Sequence, residues 1–184
     1  GLDAPLLRIV QAASELTIPS ENETNHSHDG HESHHGDPHV WLDPLLAKQI
    51  VAAISKAFSE CDPEHRAAYQ ENADAYTARL DELDQNIRMT LAERRQRTIL
   101  YAGHFAFGHF AERYGLEHVS PYSGFSPNAL PGPRAIAQLV QSVQASGSKV
   151  IFHEELVEPR VARIIAEETG AQMIMLHGAH NTTA

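Results

Sequence analysis

Apolar positions along the chain change spacing several times, and each change marks an element. Leu6, Ile9, Val10 and Ala13 recur at helical intervals and predict a short amphipathic helix over residues 6–16. Between Pro19 and Pro38 the apolar residues vanish. The stretch SENETNHSHDGHESHHGDP has nothing with which to build a core, so a mobile loop is expected there. Order resumes at HVWLDP, where Asp43-Pro44 reads as an N-cap with proline at the first helical position, opening a helix to about Ser59. Asp62-Pro63 repeats the signal. Beyond it Tyr69, Ala73, Tyr76, Leu80, Leu83 and Ile87 fall at alternating steps of four and three, one stripe of a single long helix. Extended over residues 63–95 it would be about 48 Å long at 1.5 Å per residue, and we expect it to act as a stiff spine between two lobes.

After Arg97 the pattern becomes strand, helix, strand, helix. Strands are predicted at 98–101, 117–122, 150–152 and 173–176. Helices are predicted at 107–114, stopped by Gly115, at 133–145, and at 160–169, stopped by Gly170. Such alternation implies a parallel sheet with helices on its faces. The expected fold class is therefore α/β, with two lobes joined by one long rigid helix and the sheet in the C-terminal lobe. Residues 1–61 form the remainder of an N-terminal lobe, including a His-rich loop at 20–38. Residues 62–97 form the linking helix and 98–184 the C-terminal lobe.

Composition narrows the function. Hydrophobic residues are 42% of the 184 and mean hydropathy is −0.35, as for a globular domain, and no apolar run approaches the roughly 18 residues of a membrane span. Fourteen basic residues against 24 acidic ones give a net charge of −10, which repels nucleic-acid phosphates. The single cysteine, Cys61, excludes an internal disulfide framework and a Cys-based zinc finger. Gly1 is no initiator and the chain stops just after a strand-like run, so part of a longer protein is expected. The triplets at Asn22, Asn25 and Asn181 match a glycosylation acceptor, a pattern frequent by chance.

The 13 histidines point to metal chemistry. His104 follows the first predicted strand, His153, Glu154 and Glu155 the third, and His177 the fourth. Ligands of open α/β sheets bind outside the carboxyl ends of the strands, so separate strands would deliver these side chains to one edge. Imidazoles and carboxylates are the groups that hold zinc. The loop segment His31-Glu32-Ser33-His34-His35 matches the zinc-protease pattern H-E-x-x-H, but Gly30 and Gly36-Asp37-Pro38 bracket it and deny it the helix that pattern needs. Weak metal capture by His26, His28, His31, His34 and His35 is the expected role of the loop. His65 is expected to be exposed, and His109 and His118 have no converging partners in this reading.

The motifs DPHVWLDP, YAGHFAFGHFAERYGL, YSGFSPNALPGP and ETGAQMIMLH, with the long helix between the first two, resemble the solute-binding proteins of zinc and manganese ABC importers (ZnuA/TroA-like) from Asp37 onward. The resemblance implies two α/β lobes with a metal held between them. It implies ligand roles for His39 of DPHVW and for His104 of H-x-A-F-G. The last ligand, usually a carboxylate after the final strand, falls at Leu176-His177-Gly178-Ala179, so His177 takes its place, with His180 a weaker candidate. His109 stands where the family commonly has Tyr and is not a ligand by this mapping. A first ligand His, and a final helix, belong to parts of the family fold that this chain lacks, leaving three of four ligands.

Imidazole-rich sites favour Zn²⁺ over Mn²⁺, which prefers oxygen. The resemblance thus implies a monomeric, non-enzymatic protein of the periplasm or cell envelope that passes Zn²⁺ to the membrane permease of an ABC importer. Two rivals stand beside it. One is a metal-dependent hydrolase in which His39, His104 and His177 hold a catalytic zinc and Glu154 or Glu155 acts as general base. The other is a zinc buffer working through the loop alone.

Overall fold

The computed structural model describes residues 11–13, 16–17, 37–122, 131–155 and 158–179. The loop histidines His26, His28, His31, His34 and His35, the candidate His180, the three Asn triplets and most of the predicted helix at 6–16 lie outside them. By their contacts the residues form two units, 1–26 with 43–90 and 27–42 with 91–184. His39 therefore groups with the second unit.

In the first unit, α1 (Pro44–Cys61) starts where the Asp43-Pro44 signal places it. The Asp43 carboxylate accepts from the backbone N–H of Leu45 at 2.8 Å and of Leu46 at 3.4 Å. Such a cap stabilises a helix by about 1 kcal/mol. The predicted spine helix is shorter than expected. Pro63–His65 is a 3-10 turn, and α2 runs over Arg66–Ala92, about 40 Å at 1.5 Å per residue. The cause lies at Asp62, which accepts from His65 Nδ1 and from the Tyr69 hydroxyl, both at 2.8 Å, and so holds a tight turn ahead of the helix. The apolar stripe also drifts. Leu80 is buried, but Tyr76 and Leu83 are exposed, and the half-buried positions on that side include Thr77 and Asp84. Lys48 of α1 donates to Asp81 of α2 at 2.5 Å across a partly exposed gap.

The second unit carries the alternation. Its strands are β1 (Thr98–Leu100), β2 (Glu117–Val119), β3 (Val150–His153) and β4 (Gln172–Met175). Its helices are α3 (Gly108–Tyr114), α4 (Pro133–Ser146) and α5 (Arg160–Thr169). β1 pairs in parallel with β2, and β3 with β4. A parallel bridge between Tyr101 and Phe152 brings β1 beside β3, giving the order β2-β1-β3-β4. Glycines at positive φ end α3 and α5 as the sequence predicts, Gly115 at 62° and Gly170 at 70°.

Strand alternation sorts the core onto two faces. Leu100 of β1 and Ile151 of β3 pack with Leu139 and Val143 of α4 and Ala162 and Ile165 of α5. The neighbouring Ile99, Tyr101 and Phe152 point the other way, onto a cluster with Phe105, Phe107 and Ala111. The sheet is thus a layer between α4 and α5 on one side and the α3 region on the other. Among the described residues no helix is long and apolar enough to cross a membrane.

Candidate metal centre

The strand order reverses between β1 and β3: the chain leaves β1 for β2 on one flank, then returns through β3 to β4 on the other. Ligand sites of open α/β sheets lie at such a switch point, beyond the carboxyl ends of the two strands. His104 follows β1 and Glu154 and Glu155 follow β3. The turn after β1 is fastened by a Ser120 hydroxyl that donates to the Gly103 carbonyl at 2.7 Å and by a His104 N–H that donates to Glu154 Oε1 at 3.3 Å. Gly103 makes the second contact possible, since a Cβ there would stand 3.0 Å from Glu154 Oε1 and 3.1 Å from the Tyr101 ring.

A cavity of about 210 Å³ opens at this point, lined by His39, His104, Tyr101, Glu154 and Glu155, among others. The His39 and His104 rings are neighbours, with centroids 5.2 Å apart and planes tilted by 55°. His39 is aimed by its own loop. Asp37 Oδ1 accepts from the His39 backbone N–H at 3.0 Å and from its Nδ1 at 2.6 Å, which places the ring proton on Nδ1 and the ring's lone pair on Nε2. A second imidazole–carboxylate pair lies at the rim, where His177 Nδ1 meets Glu155 Oε2. Glu155 is buried and the His177 side chain is about half exposed. The segment carrying His177 is pinned by the Trp41 indole N–H, which donates to the Gly178 carbonyl at 3.0 Å.

Of the residues expected to be ligands, His39 and His104 come together at the cavity, while His177 stands at its rim. Among the described residues no three His, Cys, Asp or Glu side chains are jointly placed to hold a metal ion. His153 turns to the backbone, with Nδ1 2.9 Å from the Glu154 carbonyl. His109 and His118 each have a partner outside the candidate ligand set. His118 stacks on Phe105 at 3.9 Å, and His109 is buried with Nε2 3.1 Å from the Asp37 carbonyl. These contacts join residues far apart in sequence, which spacing cannot reveal. Asp37 was also missed as an orienting group; the D-x-H spacing of Asp37 and His39 is the signal that could have found it.

His104 is held below the ordinary imidazole pKa of 6.5, first by burial and then by the neighbouring His39, with Glu154 and Asp37 partly opposing. Its ring is therefore neutral, the form that binds metal, at neutral pH. The unfolded chain takes up this proton near pH 6.5 and the folded chain only at lower pH. The contribution to stability is accordingly full above pH 6.5 and is lost as pH falls through the folded value. An NMR titration of the metal-free chain is expected to give His104 a midpoint below 6.5; a midpoint above it would contradict this environment.

Comparison with known proteins shows the family. The family model described as "Zinc-uptake complex component A periplasmic" (ZnuA) matches residues 2–184. The high-affinity zinc uptake system protein ZnuA of Bacillus subtilis is 37% identical over 145 residues, which are 79% of this chain and 45% of that protein. The zinc-binding lipoprotein AdcA of Streptococcus pneumoniae is 31% identical over 186 residues, covering 99% of this chain and 37% of that one. The laminin-binding protein Lmb of Streptococcus agalactiae, described as having adhesin and metal-transporting activity, superimposes with a TM-score of 0.78 at 29% identity, over 94% of this chain and 63% of that chain. The chain thus spans less than half the length of these two curated relatives. With its sequence matched almost from end to end, the chain belongs to the ZnuA family of zinc-uptake components, which is not an enzyme family.

Proposed function

We propose that this chain is the metal-capturing part of an extracytoplasmic solute-binding protein that takes up Zn²⁺ as cargo and delivers it to the membrane permease of an ABC importer. The observation that carries the reading is the pair of imidazoles, His39 and His104, side by side in the lining of a cavity that Glu155 also lines. In this reading His39, His104 and His177 bind the ion. Asp37 anchors the His39 ring through Nδ1 and Glu155 anchors the His177 ring in the same way. His177 has to come in from the rim for the set to close. Such a nitrogen-rich set selects Zn²⁺ over Mn²⁺. The names of the relatives support zinc as cargo, an importer as partner and the periplasm or cell envelope as location. The protein acts as a monomer and carries out no reaction, and His26, His28, His31, His34 and His35 serve as a weak collecting tract.

Calorimetric titration tests this reading, with Zn²⁺ and Mn²⁺ in parallel, on the chain and on a form lacking residues 21–36. One tight zinc site kept by the shortened form, with manganese much weaker, is the expected result. Weak multiple binding that disappears with the loop would overturn it.

A further inference from the structure

We propose that His109 is a positioning residue for His39, acting through Asp37; this rests on the reading of His39 as a zinc ligand. Residues 37–39 belong to no helix or strand, and Pro38 has no N–H to give, so no regular ladder fixes the height or direction of His39. The bond from His109 substitutes for one. His109 lies on α3 with 2% of its surface exposed, and its Nε2 is 3.1 Å from the Asp37 carbonyl oxygen. A carbonyl only accepts, so Nε2 carries the proton and donates. Asp37, whose side chain is fully buried, then passes the constraint on, because its Oδ1 accepts both from the His39 backbone N–H and from Nδ1. The chain of contacts runs from a helix anchored in the sheet's aromatic face by Ala111, through the Asp37 backbone, to the nitrogen that leaves Nε2 of His39 for the metal.

Removing a group that orients a metal-bound imidazole typically lowers affinity about 10–100-fold. The test compares His109→Phe, which keeps a ring but cannot donate, with His109→Gln, whose carboxamide N–H reaches a similar distance. Zn²⁺ affinity is read by competition with a chromophoric chelator, and the His39 tautomer by ring ¹⁵N shifts in the metal-free chain. We expect His109→Phe to lose about 10–100-fold in affinity and to move the His39 shifts away from the Nδ1–H form. His109→Gln should restore most of both. If His109→Phe fails to fold, His109→Met against His109→Gln reads the same contrast. Wild-type affinity and unchanged His39 shifts in His109→Phe, or equal impairment of the Phe and Gln variants, would overturn the proposal. His39→Ala separates the two readings. Unchanged zinc affinity in His39→Ala removes His39 as a ligand, whereas a loss there without one in His109→Phe removes the positioning role alone.

Discussion

Replacing His104 with alanine is expected to weaken Zn²⁺ binding by about two to three orders of magnitude. Apparent binding energies of four-ligand zinc sites, about 10–16 kcal/mol, amount to roughly 2.5–4 kcal/mol per ligand, or about 10²–10³ in affinity. His104 should show the full loss. It is buried, its backbone is tied to Glu154, and its ring centroid lies 5.2 Å from that of His39, so truncation removes an imidazole from the centre of the cavity lining. The matched control is His65→Ala, which removes a largely exposed imidazole paired with Asp62 in the other unit. Zinc titration of both variants checks the expectation, and equal affinity in His104→Ala and the parent chain would refute the site.

The second large effect concerns stability. Leu139→Ala should destabilise the second unit by about 2–5 kcal/mol, the cost of deleting a large aliphatic side chain from a packed core. Leu139 has no exposed surface and packs in the cluster that holds α4 and α5 to the sheet through Leu100, Ile151 and Ile165. A loss of that size is a large part of the roughly 5–15 kcal/mol that keeps a domain folded. Amide exchange at 99–100 and 151–152, in the strands that this cluster covers, reports the unit's unfolding across a urea series. Leu83→Ala on the exposed side of α2 should change little by comparison, within about 0.5 kcal/mol. Equal midpoints for the Leu139 variant and the parent would show that this cluster is not what holds the unit together.

Local signals made much of the fold legible. Asp43-Pro44 started α1 where a side-chain cap and a pre-set φ require it, and Gly115 and Gly170 ended α3 and α5 where only a left-handed residue fits. Sheet order was not legible, because a parallel ladder joins residues as distant as Tyr101 and Phe152 and leaves no trace in spacing. The length of α2 was overestimated because periodicity is blind to the competing bonds at Asp62. For the site, strand-end positions singled out His104, Glu154 and Glu155, and motif resemblance singled out His39. The carboxylate behind His39 lies two positions away and within reach of the D-x-H spacing, whereas the imidazole behind that carboxylate is 72 positions from it and only the folded chain brings the two together.

The strand order has a consequence for how the site comes apart. His104, Glu154 and Glu155 sit on turns that leave the two central strands, so displacing them means breaking into the most protected part of the unit. The 37–42 segment is held differently, by the Leu42 N–H to His39 carbonyl bond, the Trp41 and His109 contacts, and no strand pairing. Opening it leaves the ladder intact and belongs to the low-energy end of native-state fluctuations. Amide exchange should accordingly be fast at 39–42 and slow at 99–100 and 151–152. In the proposed reading, where His39 on this segment binds the ion, loss of the ion would follow the opening of one short segment rather than the unfolding of the unit.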